Sequence, residues 1–271
     1  MAGVCAISRS QDNGMKTSMS PMSETRQKAI PVSIVTLTRD DHLLLASTME
    51  SVAAQDYRPI QYLIVNGGAR VDAVIASIDF PEDITVHVIN GQANGIYPAM
   101  NAALEATSGE WVNFMNAGDT FSNSSAVKSA FEDEDSAVSV KVMRLEGQRD
   151  CQKLWHGPLL KNICQQAIFY NRKKLSGLLH FDDSYKFSAD LELLVRIHAF
   201  DSDHFAVCKP GATIRYLPGG ISGRNQHQLF DEKLRIIREI RDSKIFWQRM
   251  LNELYVHSVR LAVTLKRFIN A

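Results

Sequence analysis

Long apolar runs, paired cysteines and a charge imbalance are all lacking in this chain of 271 residues. No segment approaches the ~18 consecutive apolar residues of a membrane span. Lysine plus arginine number 30, as do aspartate plus glutamate, so net charge gives no reason to expect nucleic acid as a partner. The cysteines show no C-x-x-C spacing, which favours neither a zinc site nor a disulfide framework; they are Cys5, Cys151, Cys164 and Cys208. These absences predict a soluble cytoplasmic protein.

The first residues also lack any periodicity. Residues 1–30 are rich in Ser, Gln, Asn and Met and contain no apolar core of a signal peptide, which predicts a disordered tail. A folded domain is predicted at 31–225. Residues 226–271 are predicted to form C-terminal amphipathic, basic helices.

The body of the chain alternates short apolar strands with helices, the pattern of parallel βαβ units. The predicted strands are Val32–Leu37, Gln61–Val65, Thr85–Ile89 and Trp111–Met115, and the predicted helices are Leu43–Gln55, Val71–Ile78 and Ile96–Thr107. Right-handed crossovers would join these into one mostly parallel, Rossmann-like sheet flanked by helices. A further strand is predicted at Ser136–Leu145. The fold class is α/β.

Three polar loops follow strands of this predicted sheet, at Thr38–Asp41, Asn66–Gly68 and Asn116–Asp119. Open α/β sheets bind their ligands at the carboxyl ends of the strands, so a nucleotide across that edge would meet all three loops. The first loop lacks G-x-G-x-x-G, which disfavours a dinucleotide-binding oxidoreductase, and no P-loop is present. A nucleotidyltransferase would need a glycine-rich loop with Arg and Lys at the same place, and the chain has none.

Three segments carry a family resemblance. They read VSIVTLT at Val32–Thr38, NGIYPAMN at Asn94–Asn101 and NAGD at Asn116–Asp119. They resemble the V-S-I-I-x-x-T strand, the G-I-Y-D-A-M-N helix start and the N-S/A-G-D loop of family 2 glycosyltransferases of the GT-A fold. The resemblance spans about residues 31–222. It implies that a nucleotide-diphosphate sugar binds at Thr38, Asn66, Gly95 and Asn116.

Asp119 is the candidate metal ligand that the resemblance implies. Departure of a nucleoside diphosphate needs its charge neutralised, and Mn²⁺ or Mg²⁺ can be held by one or two carboxylates with substrate oxygens and water. The alternative is that Asp119 caps a helix beginning at Ser122–Ser125.

Asp190 is the candidate general base. The segment Phe181–Glu192 resembles the family's F-D-E-x-Y-K-I-A-A-D-Y-x, in which the Asp after Ala accepts the proton of the attacking alcohol. The alternative is an N-cap of the helix Leu191–Phe200. Both roles are compatible, because a cap residue has a fixed orientation.

Other segments contribute weaker expectations. Gly219–Ser222 resembles the G-G-I-S loop that closes the family's site, with Arg224 near enough to reach a phosphate. Trp155 and His156 could line an acceptor, although core packing is the commoner fate of such a Trp. Residues 231–271 carry nine Lys or Arg against five acids. Such a tail can lie on an anionic membrane, while packing on its own domain or dimerisation is the alternative.

The resemblance implies a glycosyltransferase that acts with inversion in bacterial surface-polysaccharide or lipopolysaccharide assembly. It would move sugar from a UDP-sugar to a hydroxyl of a glycan or lipid-linked acceptor. One alternative is a degenerate, non-catalytic member that binds nucleotide sugar or scaffolds a partner enzyme. That alternative arises because polar family residues are replaced at four positions: Asn66, Val71, Ala93 and Gln165.

Overall fold

The computed structural model describes most of the predicted domain and the start of the C-terminal region. The described residues are 30–39, 42–68, 71–91, 94–133, 137–147, 164–200, 205–218 and 225–241. Several predictions concern residues outside these ranges: the tail 1–29, Ala93, Trp155, His156, Gly219–Ser222, Arg224 and the chain after Arg241.

Strands and helices alternate through the first half of the domain, as the periodicity predicts. The strands are β1 (Val32–Thr38), β2 (Ile60–Asn66), β3 (Ile84–Asn90), β4 (Trp111–Asn116), β5 (Thr120–Phe121), β6 (Val140–Val142), β7 (Arg144–Leu145), β8 (Ile168–Asn171), β9 (Phe205–Val207) and β10 (Thr213–Arg215). The helices are α1 (His42–Ala53), α2 (Asp72–Ile75), α3 (Ile96–Ala106), α4 (Ala126–Ala130), α5 (Ala189–Phe200) and α6 (Gln226–Arg241).

The main sheet has seven strands in the order β3-β2-β1-β4-β8-β6-β9. β1 is paired in parallel with β2 and β4, so that Thr38 is opposite Asn66 and Leu37 is opposite Asn116. The carboxyl ends of these strands therefore lie at one edge. Among the described strands of this sheet only β8 is antiparallel to its neighbours. The predicted mostly parallel sheet is confirmed.

Both faces of the central strands β1, β2 and β4 are buried. Successive side chains of a strand point to opposite faces, and each face packs in a separate core. Ile34 belongs to a core with Leu45 of α1, whereas its neighbour Val35 belongs to a second core with Met100 of α3 and Leu193 of α5. The central strands are consequently apolar throughout rather than alternating. The result is a three-layer α/β/α arrangement.

The strand predicted at Ser136–Leu145 is wrong in one respect, since it is divided into β6 and β7. The division falls at Met143, whose N–H donates to Ala167 O at 2.7 Å, and Arg144 N–H then donates to Ala212 O at 2.8 Å. The chain thus leaves the main sheet for a smaller one of three strands, in the order β5-β10-β7. The change of sheet is caused by hydrogen bonds to Ala167 and Ala212, which are far along the chain. The local alternation of apolar and polar residues gives no sign of such distant partners.

The start of the C-terminal region packs on the domain. Ile236 of α6 is only 2 % exposed and belongs to the same core as α3 and α5. Among the described helices none is both long and apolar enough to cross a membrane.

Candidate functional site

Two unpaired polar atoms lie at the carboxyl edge of the main sheet. Thr38 is the last residue of β1 and Asn116 is the last residue of β4. The side-chain atoms Thr38 Oγ1 and Asn116 Oδ1 are buried, and neither has a hydrogen-bond partner among the described residues. Leaving such an atom unpaired costs about 1–3 kcal/mol. Two of the four residues predicted to bind the donor, Thr38 and Asn116, therefore offer free hydrogen-bonding capacity where the topology places a ligand.

Asn66 lies at the same edge, but its side chain already has partners in the protein. Its Nδ2 donates to Asn90 Oδ1 at 3.0 Å, and its Oδ1 accepts from Gly68 N at 3.0 Å. The side chain is 4 % exposed. In this conformation Asn66 shapes the loop after β2 and braces it against the end of β3.

Gly95 directly precedes α3 and has a φ of 127°, in the region that favours glycine. Its carbonyl accepts from Ala99 N at 3.2 Å, which starts the helix. The predicted donor residue thus has a backbone function here, turning the chain into α3.

Asp119 lies in the loop between β4 and β5, nearly buried at 3 % exposure. Its Oδ1 accepts from the main-chain N of Leu217 at 2.8 Å, and the Gln166 side chain also donates to the carboxylate. Burial raises the pKa of Asp119 to about 6, against these two hydrogen bonds, which lower it. The alternative that Asp119 caps the next helix is wrong, because Ser125 precedes α4 and the Asp119 carboxylate is bound to Leu217 instead.

Thr48 of α1 holds the loop around Asp119. Its Oγ1 donates to Asp119 O at 2.8 Å and accepts from Gly118 N at 2.9 Å. Gly118 has a φ of 99°, and an added Cβ would lie 2.8 Å from Leu217 Cδ2. The positive φ requires glycine in N-A-G-D, and an added Cβ would also displace the movable end of the Leu217 side chain.

Asp190 lies in the first turn of α5 rather than before it. The helix begins at Ala189, and Ser188 precedes it, accepting from Glu192 N at 3.0 Å, so the prediction of an N-cap at Asp190 is wrong by position. The Asp190 carboxylate accepts from Tyr97 OH at 3.1 Å and from the backbone of Leu191. Burial raises its pKa, and these bonds oppose the shift. The carboxylate is oriented by a tyrosine and a helix N-terminus.

Two residues of the NGIYPAMN segment connect the two ends of the site, a role that sequence reasoning missed. Tyr97 reaches Asp190, and Asn101 exchanges two hydrogen bonds with the main chain of Phe181, at 2.8 and 2.9 Å. The sequence did contain a sign of this role, because Tyr97 and Asn101 are polar residues four positions apart and so lie on one face of the predicted helix.

The turn Gln165–Ala167 reaches the same edge because β8 is antiparallel and begins there. Gln165 accepts from Tyr170 OH at 2.9 Å, while its Nε2 has no partner among the described residues. Neighbouring Cys164 donates to Gln166 Oε1 at 2.8 Å. Burial raises the pKa of Cys164 to about 12, and the charges of Asp119 and Asp190 both add to the increase. The two carboxylates therefore lie within electrostatic reach of one thiol.

The oxygen atoms at this edge are suitable ligands for a hard divalent cation, whose remaining coordination positions the substrate would fill. The Asp119 carboxylate and the unpaired Asn116 Oδ1 both supply oxygen, the ligand type that Mg²⁺ and Mn²⁺ prefer. Within the described ranges no three His, Cys, Asp or Glu side chains come together. A metal held here would take its remaining ligands from phosphate oxygens and water.

The arrangement of sheet and polar edge defines the nucleotide-diphospho-sugar transferase (GT-A) fold, and solved structures share it. The mannosyltransferase PcManGT from Pyrobaculum calidifontis, in complex with GDP-Man and Mn²⁺, matches with a TM-score of 0.64 at 15% identity. The match covers 80% of this chain and 66% of that one, just under two thirds of its length. S. aureus TarS 1-349 in complex with UDP-GlcNAc gives 0.61 at 16% identity, over 79% and 68%.

The profile described as Glycosyl transferase family 2 matches residues 33–194, and the chain belongs to this family. A PGL/p-HBAD biosynthesis glycosyltransferase of Mycobacterium bovis is 27% identical over 181 residues, 60% of this chain and 68% of the relative. An uncharacterized glycosyltransferase of Mycobacterium tuberculosis is 26% identical over 208 residues, 68% and 72%. The predicted family, fold and enzyme class, a glycosyltransferase, are confirmed.

Proposed function

We propose that the chain transfers a sugar from a nucleoside diphosphate, UDP in the first instance, to a hydroxyl of a glycan or lipid-linked acceptor, with inversion. The setting we propose is cell-surface polysaccharide assembly, including lipopolysaccharide, at the cytoplasmic face of the membrane. The observation that supports the transfer best is geometric. Thr38 Oγ1 and Asn116 Oδ1 are buried and unpaired, within the described part of the chain, at the carboxyl ends of β1 and β4, and the loop that carries Asp119 directly follows β4.

The donor would lie across the carboxyl ends of β1, β2 and β4. Thr38 Oγ1 and Asn116 Oδ1 are unpaired there and would bind polar groups of the nucleotide sugar. Asn66 and Gly95 would shape the loops on either side, Asn66 through Gly68 and Gly95 through its positive φ. Hydrogen bonds to Thr38 and Asn116, within loops of that shape, would fix the position of the sugar before reaction.

Asp119, assisted by Asn116, would hold Mn²⁺ or Mg²⁺. When bound, the metal would neutralise charge on the departing diphosphate. Asp119 must be deprotonated to bind it, and a pKa of about 6 leaves the carboxylate mainly charged at neutral pH. Leu217 N and Gln166 would hold that charge in place.

Asp190 would accept the proton of the acceptor hydroxyl as the oxygen attacks the anomeric carbon. Its raised pKa makes it a stronger base than an exposed aspartate, and Tyr97 keeps one of its oxygens in a fixed direction. A single displacement from the face opposite the diphosphate inverts the anomeric configuration.

The test is a calorimetric screen of UDP- and GDP-sugars with Mn²⁺ or with chelator. Both donor types belong in it because PcManGT binds GDP-Man and TarS binds UDP-GlcNAc. Turnover is then followed as released nucleoside diphosphate, with p-nitrophenyl glycosides as acceptors. We expect metal-dependent binding of one donor and turnover above the rate of hydrolysis.

Two variants separate the roles of the carboxylates. Asp119→Asn should lose metal-dependent donor binding, whereas Asp190→Asn should bind donor and lose turnover by roughly 10²–10⁴-fold. Asp183→Asn is the matched control, because Asp183 is exposed in the segment before α5. Full activity in either site variant would contradict the assignment. If the wild type bound a nucleotide sugar independently of metal and showed no turnover, the non-catalytic alternative would be favoured.

A further inference from the structure

The carboxylate of Glu232, on α6, binds three consecutive residues at the entrance to α5. Its Oε1 accepts from Lys186 N at 2.7 Å, and its Oε2 accepts from Phe187 N at 3.0 Å and from Ser188 Oγ at 2.6 Å. Both oxygens are therefore used. Hydrogen bonds to a charged acceptor are roughly twice as strong as neutral ones.

Further contacts fix α6 to the same segment, so Glu232 is itself held in place. Tyr185 OH donates to Glu239 Oε2 at 2.8 Å, and the Arg235 guanidinium lies 4.2 Å from the Tyr185 ring centroid. About two turns of α6, from Glu232 to Glu239, thus contact the chain from Tyr185 to Ser188. Ile236, between these residues, is buried in the core below.

The position of Asp190 depends on where α5 begins. Asp190 is two residues beyond Ser188, in the first turn, where main-chain N–H groups have no partner within the helix. A serine before a helix commonly accepts such an N–H, but the Ser188 hydroxyl here donates to Glu232. The charge of Glu232 also reaches Tyr97, the residue that hydrogen-bonds Asp190. Glu232 of α6 therefore holds the residues at which α5 begins in position.

We propose that Glu232 is a positioning residue for the transfer reaction: by clamping residues 186–188 it places the Asp190 carboxylate against the acceptor hydroxyl. This inference rests on the proposed role of Asp190 as the base. Glu232 lies beyond residue 194, where the family match ends, and within the region predicted as a separate C-terminal extension. The first helix of that extension is accordingly part of the working site.

The experiment compares Glu232→Gln with Asp231→Asn in the full chain. Glutamine keeps the size of the side chain but turns its amide NH₂ group, itself a donor, towards at least one of the donors that the carboxylate binds. Asp231 is the adjacent residue on the same helix, is exposed, and loses the same charge. Three quantities are measured: hydrogen exchange of the main chain at 186–194, the dissociation constant for UDP-GlcNAc or GDP-mannose with Mn²⁺, and kcat for release of nucleoside diphosphate.

For Glu232→Gln we expect exchange at 186–194 about tenfold faster, kcat reduced about tenfold or more, and donor affinity within about twofold of wild type. Asp231→Asn should match the wild type in all three. Glu232→Asp, which keeps the charge on a shorter stem, should recover part of the lost kcat.

Unchanged exchange in Glu232→Gln would overturn the proposal, whether or not a donor has been found. Faster exchange with unchanged kcat would also overturn it, because Glu232 would then be structural only. Equal losses of donor affinity and kcat would show a general distortion of the site and would contradict a specific effect on the base. Failure of the wild type to bind or turn over any donor would instead contradict the proposed function, and the exchange measurement distinguishes that case.

Discussion

Two regions of the molecule are held together by different kinds of bond. In the parallel half, the four strands β1 to β4, backbone ladders run along the full lengths of β1, β2 and β3. In the bridged half, residues 164–241, strands have at most four residues. Single side chains bind main-chain groups there: Asn101 at Phe181, Asn113 at Gln166 and Ile168, and Glu232 at Lys186 and Phe187.

The difference separates two tasks. A ladder depends on many equivalent groups, so the parallel half provides a rigid edge on which a nucleotide can lie. A bridge depends on one side chain, and single side chains also orient both carboxylates of the site, Gln166 at Asp119 and Tyr97 at Asp190. Substitutions should therefore disturb folding most in the parallel half and local geometry most in the bridged half.

The largest effect is expected from Gly109→Ala, beside the parallel half. An added Cβ would lie 2.4 Å from Ser33 N and 2.7 Å from Val32 C, main-chain atoms of β1 that cannot rotate away. We expect the free energy of unfolding to fall by about 3 kcal/mol in urea titration. Gly211→Ala is the control, because its Cβ would meet side-chain atoms only, Ser129 Oγ at 2.6 Å and Ser129 Cβ at 3.2 Å, so it should cost less. Equal losses would contradict the contrast.

A smaller effect is expected from Asp119→Asn, between the halves, in metal-free protein with chelator. The pKa of Asp119 is raised from 3.8 to about 6 in the folded protein. A raised pKa gives stability that is present below about pH 4 and is lost as pH rises through about 6. Relative to wild type, the variant should therefore gain about 2 kcal/mol of unfolding free energy between about pH 4 and pH 7.5. A pH-independent difference in chemical denaturation would show that the carboxylate is not desolvated.

The smallest effect is expected from Asn101→Ala, in a single bridge. The variant loses two hydrogen bonds to Phe181, but these groups are only partly buried and water can replace the asparagine. We expect a loss of about 1 kcal/mol in unfolding free energy. Asn101→Asp keeps the acceptor for Phe181 N and should fall between the two proteins. A loss as large as that of Gly109→Ala would remove the distinction between ladders and bridges.

Sequence reasoning located the parallel half to within a residue or two at most strand ends, because its buried strands are continuous apolar runs between polar loops. It identified Asp119 as a candidate metal ligand and Asp190 as a candidate base, but the helix caps that it offered as alternatives at both positions are not formed. Tyr97 contacts Asp190 across 93 residues, and Asp119 contacts Leu217 across 98. The periodicity of apolar residues along one helix or strand cannot predict contacts between residues so far apart in the chain. The break at Met143 was missed for the same reason, since Ala167 and Ala212 cause it.

The hydrogen bond from Leu217 N to Asp119 has an evolutionary consequence. Its donor is a main-chain group, which every amino acid except proline carries. Leu217 can therefore be replaced by any residue except proline while the main-chain N–H that donates to the Asp119 carboxylate is kept. Mutational drift along this stretch would leave the electrostatics of Asp119 intact, and a comparison of residue identities would give no sign that the stretch belongs to the site.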